Sequence, residues 1–265
     1  MRKIKMVVVF LLVLIIISFT ISSIDDDKNR FLVKRIAHAG GAINGEFYTN
    51  SIDALNTNSK RGFYFFEIDF VFTNDDELIC LHDWQSNFKK MFGFETQSKL
   101  SLDEFEKCAR DNSIYDVCTL DSLIQWLESN PDATIITDIK ERNLFALEMI
   151  SNSVPNYKKR IIPQIYSPEN YDTVKEMGFE QIIWTLYRYL GNSQDVLNNV
   201  DKFEGDFAVT MPQKLAKTSL PNDLKKLGIP TYVHTINSQE DKDYFLNIQN
   251  ISEIYTDTLN SSDSS

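Results

Sequence analysis

The chain has 265 residues and a net charge of −11, from 27 Lys and Arg against 38 Asp and Glu. That acidic balance excludes nucleic acid as an expected partner, because phosphate-backbone binding needs clustered Lys and Arg. Beyond an N-terminal segment, the length fits one α/β barrel or two small domains, with enough apolar residues to bury a sizeable core.

Basic residues crowd Met1–Lys5, and Met6–Ile21 is then almost wholly apolar (MVVVFLLVLIIISFTI). Residues 1–26 are read as a signal peptide or an uncleaved membrane anchor; neither a small-x-small site nor a lipobox cysteine decides between them. Either reading exports the rest of the chain, secreted or anchored at the outer face of the cytoplasmic membrane, because the basic flank stays inside. Residues 27–259 are read as one domain and 260–265 as a disordered tail.

Strand-like runs fall at Phe31–Ala37, Phe63–Phe70, Glu77–Leu81, Thr134–Ile139, Arg160–Ile165, Gln181–Leu186, Asp206–Thr210, Pro230–Thr235 and Glu253–Tyr255. Helical patterns lie between most of them, at Ser51–Lys60, Leu120–Ser129, Leu144–Ser151, Glu169–Met177, Gln194–Val200, Leu215–Leu227 and Gln239–Ile248. Such alternation indicates a parallel sheet. Only TNDD separates FFEIDFVF from ELICL, too short for a parallel crossover, so that pair is a β-hairpin. Setting aside its return arm leaves eight parallel strands, the count of a TIM (β/α)8 barrel. An open doubly wound sheet is the alternative, disfavoured because no Gly-x-Gly-x-x-Gly follows the first strand. Residues 85–118 are the least regular part, read as a small insertion after the second barrel strand.

Of the three cysteines, Cys108 and Cys118 are either a short-loop disulfide or free thiols, and Cys80, in the apolar run LICL, is read as buried. Trp84, Phe88, Phe92 and Phe94 form either an apolar lip for a lipid or glycerol moiety or the ordinary packing of the insertion.

In a barrel the chemistry gathers at the C-terminal strand ends. There the sequence places His38 (IAHAGG), Glu67 and Asp69 (FFEIDFVF), His82 and Asp83 (CLHDW), Asp138 and Lys140 (TIITDIK) and His234 (PTYVHT). Residues i and i+2 share a strand face, so Glu67 and Asp69 project together into an apolar wall, and Asp138 with Lys140 repeats the spacing. Three carboxylates without Cys or His between them make a hard oxygen site suited to one Mg²⁺ or Ca²⁺. The other reading is a structural ion cluster in which Glu67 and Asp69 pair with Lys140 or Arg142. His38 and His82, facing the carboxylates, are acid–base candidates.

These residues resemble the glycerophosphodiester phosphodiesterase family. Its His-Arg-Gly and Glu-Asn-Thr motifs correspond to His38-Ala39-Gly40 and Thr49-Asn50-Ser51, and its Glu-x-Asp to Glu67-Ile68-Asp69. The His-Asp motif corresponds to His82-Asp83, Glu-x-Lys to Asp138-Ile139-Lys140, and the late Thr-x-Asn and Thr-Asp segments to TYVHTIN and IYTD. The resemblance spans residues 31–258 and implies a TIM-barrel enzyme that cleaves a phosphodiester to an alcohol and a phosphomonoester. By it, Glu67, Asp69 and Asp138 would ligate a divalent cation, His38 and His82 would act as base and acid, and Lys140 would face the phosphate. The implied substrate is a glycerophosphodiester or a phosphodiester of a cell-surface polymer such as teichoic acid or capsule.

Two departures stand out. Ala39 replaces the phosphate-gripping arginine, so Arg142 or Arg188 compensates or the substrate differs. Asp138 is one methylene shorter than the usual Glu. His234 stands where Trp is common and is read as a substrate contact; Asn50 would bind phosphate, orient His38 or cap the following helix. Two other readings share the barrel: a phospholipase C or D-like enzyme that forms a cyclic phosphate, and a catalytically weak binding protein.

Overall fold

The computed structural model describes residues 29–262. The expected signal or anchor segment, residues 1–26, lies outside them, and no helix among the described residues is long and apolar enough to cross a membrane. The strands are β1 (Ile36–Ala37), β2 (Phe65–Phe72), β3 (Leu78–Cys80), β4 (Thr134–Ile139), β5 (Ile161–Ile165), β6 (Gln181–Thr185), β7 (Asp206–Pro212), β8 (Thr231–His234) and β9 (Glu253–Thr256). All join one sheet, and β1 pairs in parallel with both β9 and β2, so it closes on itself. β3 lies antiparallel on β2 as the return arm of the expected hairpin, outside the ring of eight parallel strands. The fold is a TIM barrel.

The helices outside the ring include α1 (Ile52–Lys60), α2 (Ser86–Phe92), α3 (Leu102–Asn112), α4 (Leu120–Ser129), α5 (Asn143–Ser153) and α6 (Tyr157–Arg160). After them come α7 (Tyr171–Glu176), α8 (Ser193–Val200), α9 (Gln213–Ala216), α10 (Leu220–Lys226) and α11 (Gln239–Asp243). Strand alternation sorts the side chains. Ile36, Phe65, Ile136, Ile162, Ile183, Ala208, Tyr232 and Tyr255 form a buried cluster. Phe66, Ile68 and Phe70 belong instead to the larger core shared with helix residues such as Trp126 and Leu147. Burying one such side chain stabilises the fold by about 1.5–3 kcal/mol.

Local chemistry sets several boundaries. Ser51, Ser101 and Thr119 cap α1, α3 and α4, each accepting from a backbone N–H of the first turn. The helix expected over Leu215–Leu227 is split into α9 and α10, and Pro221 sits in the first turn of α10, where a missing N–H costs nothing. β1 is shorter than the expected Phe31–Ala37. Phe31 instead packs edge-on to Tyr232, 6.2 Å between centroids, and Lys34 bonds the Tyr232 hydroxyl through its backbone. At the other end, the Asn260 carbonyl accepts from Arg35 and Ser261 donates to the Arg61 carbonyl.

The insertion is more regular than expected. Its helices α2 and α3 enclose a core of Trp84, Phe88, Phe92 and Phe105, and these rings pack on one another at 4.6–6.0 Å. Three of the four aromatics that could have formed a lip are therefore buried packing; Phe94 stays exposed at 44%.

The cysteine pairing corrects the sequence reading. Cys80 and Cys118 form the disulfide and Cys108 is free. The chain after the insertion returns beside β3, where Cys80 N–H donates to the Cys118 carbonyl at 2.8 Å, and that tertiary pairing outweighs nearness in sequence. Because the bond closes a separation of 38 residues, Cys118→Ser is expected to lower unfolding stability by about 2–4 kcal/mol. Cys108→Ser should stay within about 0.5 kcal/mol. Urea denaturation of both variants checks this; equal effects would contradict the pairing.

Candidate active site

The first strand hands directly to the site. After Ala37 the chain turns through His38-Ala39-Gly40-Gly41, with Gly41 at φ +85°. A Cβ at Gly41 would lie 2.5 Å from the Asn58 amide, and that amide donates to the Gly40 and Ala42 carbonyls. The clamp leaves no room for a side chain and fixes where His38 emerges. His38 Nδ1 lies 2.9 Å from Asp257 Oδ1, just past β9, and Nε2 lies 3.9 Å from Glu67 Oε2. Asp257 is held in turn by Asn237, whose amide donates to Oδ2 at 2.6 Å and accepts from the Asp257 N–H at 2.8 Å. Burial opposes a charged His38 ring, but the Asp257 hydrogen bond and the Glu67 carboxylate outweigh it and raise its pKa to about 9.

β2 and β4 pair with Asp69 opposite Asp138. Glu67, Asp69 and Asp138 each offer an oxygen within 4.8 Å of the others. Glu67 accepts from the Ala39 N–H at 2.7 Å. Asp69 is gripped by Asn50, which donates to its carboxylate and accepts from its backbone N–H, both at 3.0 Å. Lys140 Nζ lies 2.6 Å from Asp69 and 3.3 Å from Asp138. Burial, then Asp69, raises Glu67 to about 8 and Asp138 to about 6. Asp69 itself is held low, because Lys140 and His82 outweigh its burial.

The donor set fits a hard divalent cation. All three groups offer oxygen, they converge, and Asp138 Oδ1 is buried without a hydrogen-bond partner among the described residues. Lys140 and the nearby imidazoles leave three buried carboxylates under-compensated, and the raised Glu67 and Asp138 record that imbalance. The alternative ion cluster is realised only through Lys140. Arg142 pairs with Asp76 and stacks over Phe72 and Phe145, at 4.5 and 4.4 Å, engaged with the β2–β3 turn rather than with the carboxylates.

His82, at the end of the hairpin arm, has a side chain 36% exposed, with Nδ1 2.8 Å from Asp83 Oδ2. Asp83 is held near 2: against the cost of burial it accepts from His82, Asn87, Ser86 and Gln85. Between the two imidazoles stands Tyr48, edge-on to both, with centroids 4.7 Å from His38 and 5.2 Å from His82. Burial and the carboxylates Asp257 and Asp69 push its hydroxyl up to about 12, so it stays neutral.

The fold thus gathers His38, His82, Glu67, Asp69, Asp138 and Lys140. Asn50 is fully buried on Asp69 and is not the helix cap, which is Ser51. His234 lies at the same mouth, its ring 5.9 Å from that of Tyr187. Tyr48 and the Asp257–Asn237 pair were missed as site residues, although TIN and IYTD were both visible as motifs. A groove of about 800 Å³ beside α1, α3 and α4 contains none of these residues.

Imidazoles, carboxylates and a lysine converging at a barrel mouth define an enzyme active site. Residues 41–261 match the profile of the "Glycerophosphoryl diester phosphodiesterase family", and the chain belongs to that family. No curated protein matches the sequence. Among solved structures, a glycerophosphodiester phosphodiesterase from Thermotoga maritima is 19% identical with a TM-score of 0.67, covering 86% of this chain and 96% of its own. One from Parabacteroides distasonis is 19% identical with a TM-score of 0.64, covering 84% and 92%. An Oleispira antarctica phosphodiesterase, in complex with the product sn-glycerol-3-phosphate, is 16% identical with a TM-score of 0.65, covering 85% and 93%.

The carboxylate cluster makes a prediction about pH. In the cation-free protein Glu67 keeps its proton up to about pH 8, whereas an unfolded glutamate loses it near 4.5. The folded state binds more protons in that window, so stability falls as pH rises through it. His38 acts in the same direction: its contribution is full below 6.5 and lost as pH rises through about 9. A cation bound there would take the place of those protons, so its stabilisation would grow with pH. At 100 times its Kd, Ca²⁺ or Mg²⁺ should raise Tm by about 5–10 °C at pH 8, and by clearly less at pH 5.5. A rise equal at both pH values would contradict protonated carboxylates.

Proposed function

We propose that this protein is an exported hydrolase that cleaves a glycerophosphodiester, or a related cell-surface phosphodiester, to an alcohol and a phosphomonoester. One observation carries the reading: two imidazoles, each held by its own aspartate, flank a buried carboxylate triad with a lysine at its edge. Glu67, Asp69 and Asp138 would hold one Ca²⁺ or Mg²⁺, which supplies Lewis-acid stabilisation of charge on the phosphoryl oxygens. Lys140 adds a fixed positive charge facing the same oxygens. His38 is the general base: Asp257 takes Nδ1, and a cation compensating Glu67 and Asp69 would weaken the pull that keeps the ring charged, freeing Nε2 to accept the proton of the attacking water. His82, on the exposed side of the mouth, protonates the leaving alkoxide, which then departs to solvent. Asn50 and Asn237 hold Asp69 and Asp257 in place.

Two observations support parts of this reading. The Oleispira relative's bound sn-glycerol-3-phosphate favours a glycerol-bearing product. The Cys80–Cys118 disulfide suits an oxidising compartment, in keeping with export. Phosphorus NMR of the products tests the chemistry. A phosphomonoester formed without a cyclic precursor is expected; an accumulating cyclic phosphate would replace hydrolysis with attack by a substrate hydroxyl, as in a phospholipase C-like reaction.

A further inference from the structure

The mouth has a second wall that the reaction as drawn does not use. Tyr166 follows β5, Tyr187 and Arg188 follow β6, and His234 ends β8. Tyr187 is the hub: its ring lies 5.6 Å from Tyr166 and 5.9 Å from His234. The Tyr166 hydroxyl, the Tyr187 hydroxyl and His234 Nε2 are all buried without a hydrogen-bond partner among the described residues. Buried polar atoms are rarely left so, and three grouped at the barrel mouth are where a ligand could complete the bonding. The Arg188 guanidinium lies over both tyrosine rings, at 5.6 and 5.7 Å. No acidic partner pairs with it among the described residues, and its Nη1 reaches the Lys140 carbonyl at 3.4 Å. The wall therefore borders the lysine assigned to the phosphoryl group.

We propose that Tyr166, Tyr187, His234 and Arg188 form the subsite for the substrate's alcohol, and that this alcohol is a polyol or sugar rather than an amine-bearing headgroup. Phenol and neutral imidazole both donate and accept, as hydroxyls do, so a polyhydroxylated group satisfies all three unpaired atoms. Tyrosine rings alone would also suit a quaternary ammonium. Here Arg188 already covers those rings, and its charge repels a second cation. Burial and the nearby His38 hold the His234 pKa near 4, so that ring stays neutral at working pH. The subsite also gives the chain a cation beside the phosphate despite Ala39, a part Arg142 cannot play while it is bound to Asp76.

This inference rests on the phosphodiesterase reading, so its test separates the two. Glycerophosphoinositol, glycerophosphocholine and bis(p-nitrophenyl) phosphate are each turned over by the full chain with Ca²⁺ or Mg²⁺. The expected result is a kcat/KM about tenfold or more higher for the inositol diester than for the choline diester. Tyr187→Phe should lower the inositol value about tenfold, the range of one hydrogen bond to an otherwise unpaired buried group, and lower the choline value by a smaller factor. Arg188→Ala should narrow the gap between the two diesters. Thermal shift with inositol 1-phosphate against phosphocholine reads the same preference without turnover, and shows whether each variant is folded. Aryl-ester cleavage with equal activity on the two diesters would overturn the subsite and leave the phosphodiesterase standing. Inactivity on all three, with no shift from inositol 1-phosphate, would overturn both.

Discussion

Replacing His38 or His82 by alanine is expected to lower kcat for phosphodiester cleavage by about 10²–10⁴-fold each, with the double variant falling little further. The small extra loss follows from their acting as a unit, one taking a proton and the other giving one, so that removing either disables the pair. Both imidazoles pack edge-on against the one Tyr48 ring. The two variants should differ in stability. His38 is 11% exposed and bonded to the buried Asp257, so its loss leaves Asp257 to Asn237 alone and lowers Tm. His82 is more exposed and bonded to Asp83, which keeps its backbone donors from Asn87 and Gln85, so its loss changes Tm little. Steady-state kinetics and thermal denaturation of the three variants check this. Full additivity of the two kinetic losses would mean that the histidines serve separate steps.

The second large effect is expected at Asp69. Asp69→Asn should lower cation-dependent activity by roughly 10³-fold and abolish the cation-induced rise in Tm. Asparagine keeps the shape and can still bond Asn50, while Lys140 keeps Asp138 at 3.3 Å, so the variant is expected to fold. It also removes a like charge that raises both Glu67 and Asp138, so both carboxyls should move back toward ordinary values. Calorimetric titration with Ca²⁺ and Mg²⁺ beside the activity assay distinguishes a ligand from a structural ion pair. Retained cation binding would make the Asp69–Lys140 contact purely structural.

The barrel was legible because its strands are separated in sequence by their own helices and need only local pattern to be found. The hairpin was legible from a connection too short to cross over. Glu67 with Asp69, and Asp138 with Lys140, were legible because a strand repeats every two residues, and the β2–β4 register turns that spacing into Asp69 facing Asp138. What local pattern missed are contacts made across the whole chain. His38 meets Asp257 over a separation of 219 residues, and the Thr-Asp motif showed the residue without showing its partner. Cys80 meets Cys118 only because the insertion brings the chain back beside β3. Arg142 was a reasonable phosphate ligand by position, yet its φ of 49° and its stacking on Phe72 and Phe145 take it to the hairpin turn. The sequence could place a residue at the mouth of the barrel; which way it leaned depended on neighbours that no local pattern encodes.

We read the carboxylate triad and the flanking histidines as one hydrolytic centre. Hydrolysis of bis(p-nitrophenyl) phosphate by the full chain, with Ca²⁺ or Mg²⁺ and with EDTA, beside His38→Ala and Asp69→Asn, tests it most directly. Cation-dependent release that EDTA stops and both variants lose is the expected result. Release that survives EDTA and either substitution would place the chemistry elsewhere. No release with either cation, joined to an unchanged Tm, would leave the triad and Lys140 as a structural ion cluster.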